Sequence, residues 1–172
     1  MKRLIITSAA ALLLVLAAAL PAAAADHARP FHGSWTSADE YDFAAPGCPA
    51  GTFLRFSTTG TAEFTHLGLT RVQITHCTHV DMAAFTGGWE TSVITLVAAN
   101  GDRLVLSDEG TFTLTPNPSG PPPASRAVNT TAWHVTSGTG RFAHADGQGT
   151  GWSDDNMLTG MQEFHMTGWI SY

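Results

Sequence analysis

The chain has 172 residues, of which 13% are charged, and a formal net charge of −6. Beyond Lys2 and Arg3 it holds six arginines and no lysine against fourteen acids, a net charge of about −8 for that part. No basic cluster remains there to grip a phosphate backbone or an anionic bilayer, so nucleic acid and anionic membrane surfaces are not expected as partners.

The N-terminus sets the expected compartment. Lys2 and Arg3 precede the apolar run "AAALLLVLAAAL" at 9–20, and "PAAAAD" at 21–26 offers small residues for cleavage. That order predicts a secretory signal peptide over 1–25, leaving 26–172 as one domain. The apolar run is short for a bilayer span and no second one follows, so no stable membrane insertion is expected. Cys48 and Cys77 are the only cysteines. An even count in an exported chain predicts one disulfide. It would close a loop of about 30 residues, worth roughly 3–4 kcal/mol on the chain-entropy model.

Past residue 26 no stretch keeps a 3.6-residue apolar period, whereas alternation of period two recurs. "FHGSWT" at 31–36 reads as a first strand. "TFLRF" at 52–56 and "TAEFTH" at 61–66 flank "STTG", a hairpin signal. "RVQITHCTHV" at 71–80 alternates. "SVITLVAANGDRLVLS" at 92–107 reads as a hairpin turning at Asn100-Gly101-Asp102, with "GTFTLT" at 110–115 after it. "PNPSGPPPAS" at 116–125 holds five prolines and reads as a long exposed loop. "TAWHVT" at 131–136, "GQGTGW" at 147–152 and "MQEFHMTGWISY" at 161–172 complete eight or nine short strands. The fold class expected is all-β, an antiparallel sandwich or closed barrel. A chain that ends inside a strand favours closure, since that strand can pair with the first and remove the edge.

Residues 137–151, "SGTGRFAHADGQGTG", contain five glycines and match the dinucleotide fingerprint at "GTGRFA". That fingerprint needs a helix after it, and "HADGQGTG" cannot supply one. The stretch reads instead as a β corner. Gly138 and Gly140 serve positive φ, Phe142 packs inward as a plug, and Asp146-Gly147 turns the chain. Gly149 and Gly151 leave room on one face for a close backbone or a large ring.

The same stretch resembles the glycine-rich signature of the allene oxide cyclase and dirigent-like barrels. It is most similar to their small secreted bacterial members, whose activity is mostly unassigned. "THLGL" at 65–69, "AANGD" at 98–102 and "GWISY" at 168–172 resemble the same group. The resemblance implies an eight-stranded, calycin-like antiparallel barrel with an apolar lumen, often oligomeric, and cyclases that use no metal or organic cofactor.

Candidate site residues follow from parity. His66 shares a face with Phe64, and His76 shares one with Val72 and Ile74. If those faces point inward, His66 and His76 are the polar groups of a greasy lumen, together with Trp133 and Phe164 on its wall. Few placed donors in an apolar pocket suit a small hydrophobic ligand. Packed core histidines are the alternative. His76 and His79 lie on opposite faces of a strand, so no metal set is expected. The acidic runs at 39–42 and 153–155 read as solvated loops. The leading functional expectation is a secreted barrel binding a small hydrophobic molecule. The rivals are a cofactor-free isomerase or cyclase, with His66 or His76 as its acid–base group, and an interaction protein with a packed lumen.

Overall fold

A computed structural model describes residues 27–172. The predicted signal peptide lies outside the described residues. Alternation of apolar and polar residues runs through eight long strands: β1 (Arg29–Asp42), β2 (Leu54–Phe64), β3 (Gly68–Asp81), β4 (Thr86–Ala98), β5 (Arg103–Pro116), β6 (Ala124–Gly138), β7 (Asp146–Asn156) and β8 (Met161–Ser171). Each pairs antiparallel with its neighbours in chain order. β8 closes on β1, from Arg29 opposite Ile170 to Ala38 opposite Met161, so the barrel has no free edge. The expected closed all-β barrel is therefore what the chain forms.

One expected break is absent. "STTG" at 57–60 does not turn; it runs through the middle of β2, where β-branched Thr58 points inward at 2% exposure. As the sequence suggests, 110–115 continues 103–107 in one strand, in which Gly110 leaves room for the Trp89 ring opposite an irregularity of β4 between Trp89 and Ser92. The proline-rich loop is shorter than expected, because β5 extends to Pro116 and β6 begins at Ala124. It is tied inward by Asn117, whose Nδ2 donates to the carbonyls of Gly120 (2.8 Å) and Pro122 (3.0 Å).

One end of the barrel carries both described chain ends, the short β2–β3 and β4–β5 turns and the glycine-rich corner. There Phe142 is completely buried against Tyr172, with ring centroids 4.9 Å apart. The expected plug is thus present. Gly140 has φ +61, as expected, but Gly138 is not in the left-handed region. Gly138 is required for space, since a Cβ there would collide with the Phe142 carbonyl. Further in, Trp133 lies over a glycine window. A Cβ at Gly149 or Gly168 would come within 2.5 or 2.6 Å of its ring. Trp133 Nε1 donates to the Thr150 carbonyl at 3.1 Å, which satisfies the polar end of the buried indole.

The other end carries the connections 43–53, 82–85, 117–123 and 157–160. The Cys48–Cys77 disulfide is formed, with Cα atoms 5.7 Å apart, and fastens the longest of these connections to β3.

Candidate functional site

The lumen is divided by a belt of inward polar residues to which every strand contributes. Alternation places Ser37 and Asp39 of β1, Thr58 of β2 and Ser92 of β4 on the inner face. It does the same for Asp108 of β5, Asn129 and Thr131 of β6, Ser153 and Asp155 of β7 and Gln162 of β8. The register joins them around the barrel. Ser37 faces Gln162, Gln162 faces Asp155, Ser153 faces Asn129, Asp108 faces Ser92, Ser92 faces His76 of β3, and Thr58 faces Asp39.

On the glycine-corner side of this belt the interior is filled. Phe31, Val72, Ile94, Leu96, Leu104, Leu106 and Ile170 are all fully buried. On the other side the lumen opens into a cavity of about 250 Å³. Its wall is mostly apolar: Leu54, Phe56, Ile74, Trp89, Phe112, Leu114, Ala127 and Phe164. The mouth is formed by Phe43 and Phe53, by Pro122 and Pro123 of the tied loop, and by Met82 and Met157. Phe43 and Phe53 pack edge to face at 5.7 Å and remain 67% and 40% exposed.

The sequence-predicted site residues divide accordingly. Ile74, His76 and Phe164 line the cavity. Phe64, Val72 and Trp133 point inward but belong to the filled half. His66 does not face the lumen. β2 ends at Phe64, and His66 lies in the following turn at φ +68, where Leu67 takes the buried position instead. Its Nε2 is 3.0 Å from the Pro30 carbonyl, and its own carbonyl accepts from Arg141 at 2.7 Å. The parity argument failed there because a turn resets which residue points inward.

His76 is held edge to face between Phe56 (4.6 Å) and Trp89 (4.5 Å). Burial pushes its pKa down to about 3, so the imidazole is neutral at ordinary pH. Its Nδ1 lies 3.5 Å from Thr78 Oγ1.

The chemically demanding groups of the cavity are carboxyls that sequence reading assigned to solvent or did not single out. Asp108 is 4% exposed. Its Oδ2 accepts from Thr131 Oγ1 (2.6 Å) and Trp89 Nε1 (3.2 Å), whereas Oδ1 has no partner. Burial raises its pKa against the pull of the Ser92, Thr131 and Trp89 side chains. Asp155 is 6% exposed and receives Ser153 Oγ (2.9 Å) on Oδ1 and Asn129 Nδ2 (2.9 Å) on Oδ2. Burial raises its pKa as well. Asp39 sits behind Tyr41, whose hydroxyl donates to Oδ2 at 3.0 Å. Burial first, and the charge of Asp155 second, raise Asp39 to about 7. Burial, and then Asp39, also raise the Tyr41 phenol, which stays protonated as a donor.

The acidic runs are thus only half in solvent. Asp154 faces outward and pairs with Arg126, while Asp155 beside it faces the lumen. One signal was available for Asp108: it shares parity with Leu104, Leu106, Phe112 and Leu114 in a strand that, Val105 apart, is polar on the opposite face. Asp155 follows the parity of Gly147, Gly149 and Gly151 in the same way.

Among the described residues no group of three or more His, Cys, Asp or Glu is arranged to hold a metal ion. Comparison with protein-family models, with curated proteins and with solved structures found no match to this chain.

Proposed function

We propose that the protein is an exported barrel that binds a small hydrophobic molecule in the open half of its lumen. The observation that carries this reading is the cavity itself: a largely apolar chamber with an aromatic mouth and a few polar groups at its floor. The disulfide is compatible with an oxidising compartment. The resemblance of the glycine-rich stretch to the allene oxide cyclase and dirigent-like barrels points to the same kind of lumen.

Ala127 lines the cavity at 6% exposure, so Ala127→Trp should fill the chamber. Because the added ring enters empty space, stability should change by less than about 1.5 kcal/mol. Mass spectrometry of protein purified from its own host should show a co-purifying small molecule on the wild type and none on Ala127→Trp. A ligand retained equally by both would refute the assignment to this cavity.

A second reading, a cofactor-free isomerase or cyclase, is favoured by one feature. The chamber holds carboxyls with raised pKa, Asp108 and Asp155, beside an imidazole kept neutral, His76. Acid and base forms near neutral pH are what proton-transfer catalysis requires. A catalytic His76 would lose on the order of 10²–10⁴ in rate on His76→Phe. A binding role would change affinity alone.

A further inference from the structure

The cavity's polarity is one-sided. Asp108 and Asp155 are wall residues, yet among the described residues no Lys or Arg lines the chamber. His76, the remaining nitrogen base of the wall, is neutral. Asp155 has donors on both oxygens. Asp108 does not: no donor meets its buried Oδ1 in hydrogen-bonding geometry, although the Ser92 hydroxyl, likewise unpartnered, lies directly opposite it in register and acts on the carboxyl. A buried carboxyl oxygen without a donor is costly unless something supplies one. Tyr41, Phe56, Trp89 and Phe112 line the same chamber, and aromatic rings attract a cation rather than an anion. The excess of acid over base along the chain attracts the same class.

We propose that the ligand of this cavity is an organic cation, a hydrophobic amine whose ammonium group is bound by Asp108 Oδ1 while its apolar body fills the chamber toward the mouth. This rests on the binding reading above and narrows its ligand class. Hydrophobic acids, which suit many apolar barrels equally well by shape, are disfavoured because their carboxylate would meet Asp108 and Asp155 with no cation between them.

The test uses the full barrel and three probes of equal chain length: n-octylamine, n-octanol and n-octanoate. Binding is followed at pH 7.5 by the fluorescence of Trp89 in the wall, with Trp89→Phe as the control for signal origin, and by calorimetry. We expect the amine to bind about tenfold or more tighter than the alcohol, from a charge-assisted hydrogen bond in place of a neutral one, and the acid to bind most weakly. Asp108→Asn should bring the amine down to the level of the alcohol while leaving alcohol binding within about twofold. Asp155→Asn, whose oxygens are already occupied, should keep most of the amine preference. If the alcohol binds but the amine is not preferred, or if the acid binds as tightly as the amine, the cation assignment fails and the hydrophobic-binding reading survives. If none of the three binds, both fail. The ligand series on the wild-type protein decides this even if Asp108→Asn does not fold.

Discussion

The two halves of the lumen are built from the same eight strands, yet one is solid and the other hollow. In the solid half, large side chains face glycines: Trp133 rests on Gly149 and Gly168, and the Phe64 ring occupies the place a Cβ would take at Gly33. These two rings are matched by glycine gaps on nearby strands, so this part of the interior is filled. In the hollow half Trp89 and Phe112 also lie over glycines, Gly110 and Gly87, but they stand on the wall, and the small Ala124 and Ala127 line the space that remains. The polar belt lies between the halves. Closing such a chamber with apolar groups would strand its carboxyls without water or partner, which is why polar floor and open space occur together.

The most direct way to break this contrast uses two leucines of one strand. Leu106 is fully buried in the solid half, and Leu114 is 8% exposed on the cavity wall. Leu106→Ala should cost about 3–5 kcal/mol in denaturant unfolding, because close-packed neighbours cannot collapse into the void. Leu114→Ala already borders empty space and should cost about 1–2 kcal/mol. Equal losses would mean that the chamber is closed in solution.

The disulfide sharpens the contrast at the mouth. Cys48→Ser frees the connection that carries Phe43 and Phe53, and should lower stability by roughly 2–5 kcal/mol. Proteolysis should then cut first within 43–53, and the solid half should keep its amide-exchange protection.

The belt predicts a pH dependence with two opposing limbs. Asp39 is raised from 3.8 to about 7, so the fold holds its proton more tightly than the unfolded chain does. That contribution is complete below the unfolded pKa and is lost as pH rises through about 7. His76 is lowered from 6.5 to about 3; its contribution is present above 6.5 and is lost as pH falls toward 3. Asp39→Asn should therefore gain about 2–4 kcal/mol over the wild type at pH 8 and differ little at pH 4. His76→Gln should flatten the acid limb. Thermal unfolding across pH 3–9 checks both, and an unchanged alkaline limb in Asp39→Asn would place that carboxyl in solvent.

The smallest effect is expected at the plugged end. Gly140→Val forces a side chain into φ +61 and against the Asp102 carboxylate. It should cost about 1–3 kcal/mol and leave ligand binding unchanged, since the cavity lies at the opposite end.

Period-two alternation from residue 31 onward announced an all-β chain, because a strand exposes one face to water and buries the other whatever its neighbours are. The glycines at 138–151 marked a corner and Phe142 a plug, since those roles depend on local backbone freedom and one bulky residue. The even cysteine count implied the bridge on compartment grounds. Parity also carried the orientation of His76, Ile74 and Phe164, and it already contained Asp108 and Asp155, whose charge disguised them as solvent residues. What parity could not carry was height along the barrel axis. Phe64, Val72 and Trp133 point inward as truly as Ile74 does, yet they fill the solid half, because height is set by the stagger of all eight strands at once. His66 was lost to a turn, where the alternation stops. Inward or outward is a property of one strand and is written in its own residues; packed or empty, and paired or unpaired, depend on what the other strands place opposite, and only the closed barrel decides that.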